Sequence, residues 1–146
     1  GRVTYQAQKD KYMMLNVTGP NEYENNVNNN WYTNHIAAWT LEYTVSSLED
    51  LKRSRPSRYR EVCEKHSLTG AETAKWREIA DKMYYPYIKQ LDIFEQQDLY
   101  MDKQQQLVKD IPPQDLPLNK HWSWDRILRS CFIKQADVIQ MFYFPL

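Results

Sequence analysis

Thr18-Gly19-Pro20-Asn21-Glu22-Tyr23-Glu24-Asn25-Asn26-Val27-Asn28-Asn29-Asn30 runs straight into Trp31-Tyr32-Thr33-Asn34-His35-Ile36-Ala37-Ala38-Trp39. Gly-Pro interrupts regular structure, because proline fixes φ and has no N–H and glycine tolerates φ values that other residues avoid. Asparagine is a favoured helix N-cap, so the Asn cluster is the place for a helix to begin. Beyond it, Tyr32, Ile36, Trp39, Tyr43, Leu48 and Leu51 recur near a 3.6-residue period, and Ala37, Ala38, Leu41 and Val45 widen the stripe. The spacing predicts a helix over about 31–52, closed by Arg53-Ser54-Arg55-Pro56, and with it a mainly helical chain.

The turn itself has two readings. A glutamate held on a rigid turn can reach outward as a general acid must, and neighbouring amides can bond hydroxyl groups. Amides beside aromatic rings suit a sugar, whose hydroxyls want donors and acceptors and whose C–H faces want flat apolar surfaces. The other reading is a capped, Asn-rich loop without chemistry. Composition alone leaves both open.

Composition bounds the rest. The 146 residues fit one ordinary domain or a piece of a larger one. Nineteen basic residues balance nineteen acidic ones, so no net field recruits nucleic acid or an anionic membrane. Cys63 and Cys131 lie far apart and match no metal-ligand spacing, and they read as reduced thiols of a cytoplasmic protein. His35, His66 and His121 are scattered, which argues against zinc. Asn16-Val17-Thr18 satisfies the glycosylation sequon and reads as accidental. No apolar run is long enough to span a bilayer. Both ends read as cuts: there is no initiator Met, and the final run Phe142-Tyr143-Phe144-Pro145-Leu146 would need covering, so an internal fragment of a longer enzyme is expected.

Further helices follow from the same rules. A short amphipathic piece is expected over Ser57–Lys65. Thr69-Gly70-Ala71-Glu72 has the spacing of a capping box, and starts a helix with Trp76, Ile79, Ala80 and Met83 inward that ends near Tyr85-Pro86. From Tyr87 to His121 the pattern is irregular, with short extended pieces near Ile88 and Ile93-Phe94. So long a stretch inside a domain points to a site-lining loop. The charged run Lys103 to Lys109 reads as solvated surface. A last helix is expected over about 124–142, with Leu128, Cys131, Val138, Ile139 and Phe142 buried. Lys134 and Gln135 interrupt that stripe, and a charge facing inward needs partners unless it snorkels to water. Asp137 stands at the i,i+3 position from Lys134.

Several strings together carry a resemblance. Val17 through Asn34 looks like the catalytic-acid motif of glycoside hydrolase family 65, and His121-Trp122-Ser123-Trp124-Asp125-Arg126-Ile127-Leu128-Arg129-Ser130 and Ile133-Lys134-Gln135-Ala136-Asp137-Val138 are similar to that family's later signature stretches. The Asn-Glu-Tyr-Glu-Asn-Asn variant and Phe94-Glu95-Gln96-Gln97-Asp98 resemble its maltose phosphorylases. The resemblance implies that residues 1–146 are part of an (α/α)6 barrel catalytic domain. It implies inverting phosphorolysis of maltose to glucose and β-glucose 1-phosphate by a cytoplasmic homodimer, with no cofactor and with inorganic phosphate as co-substrate. Glu22 falls on the general acid, and Lys134 and Gln135 fall on the pair that contacts the glucose. Other α-glucobioses (trehalose, kojibiose, nigerose), or a non-catalytic sugar-binding module stacking sugars on Trp31, Trp39, Trp122 and Trp124, are the competing readings.

Chemistry agrees with that assignment. A glycosidic oxygen leaves only if it is protonated, so one carboxylic acid must be neutral near pH 7, its pKa raised by burial or by negative charge such as Glu24. Inverting hydrolases need a second carboxylate to activate water. Phosphate is already an anionic nucleophile, so a phosphorylase can dispense with that base. The family's upstream Trp-Asp pair and its downstream phosphate-binding segment are absent from this sequence, so the 146 residues alone are expected to be inactive.

Overall fold

A computed structural model describes residues 2–144. An antiparallel hairpin comes first, β1 (Val3–Gln6) and β2 (Lys11–Met14), with Val3 opposite Met14 and Gln6 opposite Lys11. Three helices follow: α1 (Trp31–Ser54), α2 (Pro56–His66) and α3 (Gly70–Asp81). A two-residue hairpin, β3 (Tyr87–Ile88) with β4 (Ile93–Phe94), and three short 3-10 turns occupy the irregular stretch. The short helices α4 (Leu118–His121) and α5 (Trp124–Arg129) and a 3-10 segment at Val138–Tyr143 complete the described chain. Among the described residues no helix is long and apolar enough to cross a membrane.

The first three helices form where the sequence predicts them. The Asn30 side chain accepts the Thr33 N–H at 2.9 Å and caps α1, a contact worth about 1 kcal/mol. Proline at the first position of α2 costs nothing, since that N–H has no helical partner. The Thr69 hydroxyl accepts the Glu72 N–H at 3.2 Å, as its capping-box spacing requires. The helix it opens stops at Asp81, short of the expected Tyr85-Pro86. Met83 lies beyond it, buried and bridged to Tyr12.

The buried face of α1 differs from the apolar stripe. Trp31, Asn34, His35, Ala38 and Val45 are buried, while Tyr43, expected inward, is 60% exposed. Two polar residues on the inner face explain the shift. Asn34 donates to the Tyr84 carbonyl at 2.7 Å and His35 stacks on Trp31. Apolar counting cannot see such residues, because only a tertiary partner makes their burial tolerable.

Two cores result. Tyr12, Ala38, Ala80 and Met83 join hairpin, α1 and α3, and Tyr12 and Tyr84 carry this further by backbone bonds of 2.9 Å from Tyr12 N to Lys82 O and from Tyr84 N to Tyr12 O. Tyr23, Ile111, Leu118, Trp122 and Ile127 form the other, with Phe132 against it. Burying side chains of this size contributes roughly 1.5–3 kcal/mol each. Trp122 and Trp31 are thus core residues, at 7% and 3% exposure, and cannot be stacking platforms for a sugar.

The expected helix over 124–142 is not formed. It ends at Arg129, and residues 130–137 run irregularly. Their backbone finds partners elsewhere: Cys131 N donates to Gln104 O at 3.2 Å, and Lys134 N donates to the Asn21 side chain at 3.0 Å. Tertiary bonds replace the helical ladder, so Gln135 is not in phase with a buried stripe and Ile139 and Phe142 are 64% and 76% exposed. Of the final apolar run, Tyr143 is exposed, while Pro145 and Leu146 lie outside the described residues.

Candidate active site

The Asn-rich turn is held by its own amides. Asn21, Asn29, Asn30 and Asn34 are buried, and Asn26 and Asn29 adopt left-handed φ of 53°, which asparagine tolerates better than most residues. Asn29 accepts from Met14 N at 3.1 Å and donates to Asp98 at 2.7 Å. Asn28 O accepts from Asp98 N, and Trp31 N donates to Gln96 O at 2.8 Å. The Glu95–Asp98 string is therefore stitched against the turn. These four buried amides build the scaffold of the turn.

Gly19 is required for space, its φ being negative. A Cβ there would lie 2.6 Å from Asp137 Oδ2 and closer still to the Asn30 amide.

Asn21 fixes the residue after it. Its N–H donates to Asp137 Oδ2 at 3.3 Å, and its side-chain oxygen accepts the backbone N–H groups of Tyr23 at 3.2 Å and Lys134 at 3.0 Å. The turn and the Ile133–Asp137 segment are thereby joined, and the side chains of Glu22 and Lys134 meet in an ion pair. The Gln135 side chain lies near enough to Glu22 to favour its ionised form. All three candidate site residues are thus in one place, on a solvent-facing surface.

The electrostatics differ from expectation. The Lys134 ammonium, and after it the Gln135 amide, hold the Glu22 carboxyl below the usual carboxylate range. Glu24 is not among the groups that shift Glu22. It points inward, buried, and pairs with Lys103, whose ammonium also donates to Leu128 O at 2.5 Å. The Lys103 side chain is only 12% exposed and serves as a half-buried counter-ion, not as part of a solvated run.

Asp137, at the i,i+3 position from Lys134, is not a helical partner for it, because residues 131–137 form no helix. It is 3% exposed, accepts from Asn30 Nδ2 at 2.9 Å as well as from Asn21, and burial pushes its carboxyl up to about 6. Its Oδ1, the Asn21 Nδ2 and the Gln135 Oε1 are buried without hydrogen-bond partners. Periodicity carried no signal for Asp137 or Lys103; their roles depend on segments far away in sequence.

Among the described residues no group of three or more His, Cys, Asp or Glu side chains is placed to hold a metal ion. Cys63 and Cys131 are free thiols.

Residues 1–145 match the family of the glycosyl hydrolase family 65 central catalytic domain. The chain is 54% identical over 142 residues to maltose phosphorylase of Bacillus subtilis (strain 168), covering 97% of this chain and 18% of the relative. It is 38% identical to an alpha,alpha-trehalose phosphorylase of Thermoanaerobacter brockii, covering 92% of this chain and 17% of that relative. A solved human-microbiome protein, provisionally named a kojibiose phosphorylase, superposes with a TM-score of 0.84 at 33% identity, over 99% of this chain and 19% of that one. The chain thus spans less than one fifth of the length of the curated relatives it matches.

Proposed function

This chain belongs to glycosyl hydrolase family 65, and on that premise we propose that it is the acid-bearing part of a mainly helical (α/α)6 barrel in a parent enzyme that phosphorolyses an α-linked glucose disaccharide, maltose being the favoured substrate. The observation that carries the reading is the convergence of Glu22, Lys134 and Gln135 from opposite ends of the chain. An exposed ion pair contributes little to stability, about 0–1 kcal/mol, so its assembly on a buried polar scaffold is better read as chemistry. Maltose is favoured over trehalose or kojibiose by the higher identity to the maltose enzyme, 54% against 38% and 33%.

In this mechanism Glu22 protonates the glycosidic oxygen as the C1–O bond breaks. Phosphate attacks C1 from the opposite face, so the α linkage becomes a β-phosphate and no second carboxylate is needed as base. Lys134 and Gln135 bind the glucose whose bond is attacked. Without substrate these two groups keep Glu22 ionised. Sugar hydroxyls that recruit them, desolvation on binding and the charge of phosphate all act to raise the Glu22 pKa, so the acid becomes neutral in the complex. The parent is proposed to be a cytoplasmic homodimer requiring no cofactor.

Phosphate omission from the full-length enzyme tests the reading. Glucose release from maltose must stop without phosphate and yield β-glucose 1-phosphate with it; undiminished release in water alone makes the parent a hydrolase.

A further inference from the structure

Glu22 is exposed, yet the backbone that carries it is held from below by a carboxylate that the mechanism does not use. Asp137 Oδ2 receives the N–H of Asn21, the residue immediately before Glu22, and the side-chain amide of Asn30, the cap of α1. Gly19 leaves the space that this oxygen and the Asn30 amide fill. On its other side Asp137 belongs to the segment that carries Lys134 and Gln135. One buried carboxylate thus ties together the acid-bearing turn, the start of α1 and the sugar-binding segment.

We propose that Asp137 is the positioning residue of the general acid: its bonds to Asn21 and Asn30 set where the Glu22 carboxyl stands relative to Lys134. The proposal rests on the reading of Glu22 as acid. Burying a carboxylate with one oxygen unpartnered is costly, and a purely structural position would be served as well by a neutral side chain. A charged acceptor makes shorter, stronger bonds to two N–H donors than a neutral one does, and so restricts the turn more tightly. Misplacement of a catalytic group by about 1 Å can cost roughly 100-fold in rate.

The test compares two substrates in the full-length enzyme, maltose and α-glucosyl fluoride, each with phosphate. Fluoride leaves as an anion without protonation, so loss of acid catalysis slows maltose and spares the fluoride, whereas general damage to the site slows both. Asp137→Ala is expected to lower kcat on maltose by roughly 10- to 100-fold more than on the fluoride. Asp137→Asn, whose amide oxygen still accepts both N–H groups, is expected to fall between Ala and wild type, and it carries the test alone if the Ala variant does not fold. Equal losses on both substrates in the Asn variant, or no loss on either, overturn the proposal. Glu22→Gln is the parallel control: its loss of maltose activity with the fluoride reaction retained upholds the acid assignment whatever Asp137 does. Maltose turnover at the wild-type rate in Glu22→Gln sinks that assignment and the positioning role with it.

Discussion

Glu22 and Lys134 stand 112 residues apart in sequence and are ion-paired in the folded chain. Their side chains are 59% and 46% exposed, so water screens the pair. What holds them together is beneath: Asn21, wholly buried, bonds the Lys134 backbone with its side chain and Asp137 with its N–H.

Replacing Glu22 by Gln in the full-length enzyme is expected to lower kcat on maltose by roughly 100- to 10,000-fold, the usual worth of a positioned proton donor. Steady-state kinetics with glucose as a competing ligand should show sugar affinity within a few-fold of wild type. Full activity in this variant moves the acid elsewhere, with Glu24 the first alternative.

Lys134→Met should shift the pH profile. As the proposed general acid Glu22 would act in its protonated form, so activity is expected to fall as pH rises through its pKa, and Lys134 is the main cause of that pKa being low in the free enzyme. The alkaline limb of kcat/KM reports the free enzyme. Removing the ammonium is expected to move that limb to higher pH while weakening sugar binding. An unmoved limb would show that Lys134 does not govern the acid.

The Glu24–Lys103 pair makes a stability prediction. Both side chains are nearly inaccessible, at 4% and 12% exposure. Lys103→Met leaves a buried carboxylate without its counter-ion, a change that typically costs about 3–5 kcal/mol. Urea denaturation of the parent should register that loss, and Glu24→Gln combined with Lys103→Met should recover much of it. An unchanged midpoint in the single variant would place Lys103 outside the buried network.

Gly19→Ala forces a methyl group into the Asn30 amide and the Asp137 carboxylate. Overpacking of this kind costs about 1–3 kcal/mol. Thermal denaturation should show the loss, and maltose turnover should fall with it because the same contacts seat the acid-bearing turn. A variant with wild-type stability and turnover would mean the turn relaxes freely.

Local rules determined much of this protein. The Asn30 cap, the helices that begin at Trp31, Pro56 and Gly70, and the stop at Arg55-Pro56 all follow from groups within four residues of one another, so the linear order contains the needed information. The Gly-Pro turn was legible for the same reason, and Glu22, Lys134 and Gln135, which the fold brings together, were singled out as candidates through whole strings resembling a family. Tertiary structure decided the rest. Helical periodicity suggested that α5 would continue to Phe142, yet bonds from Cys131 to Gln104 and from Lys134 to Asn21 end it at Arg129. Asp137 and Glu24 are buried, and Lys103 half-buried, because each meets a partner from a distant segment, and a charge enters the interior only where such a partner waits. The depressed Glu22 pKa has the same origin, since a field depends on distance in space and the sequence gives only distance along the chain.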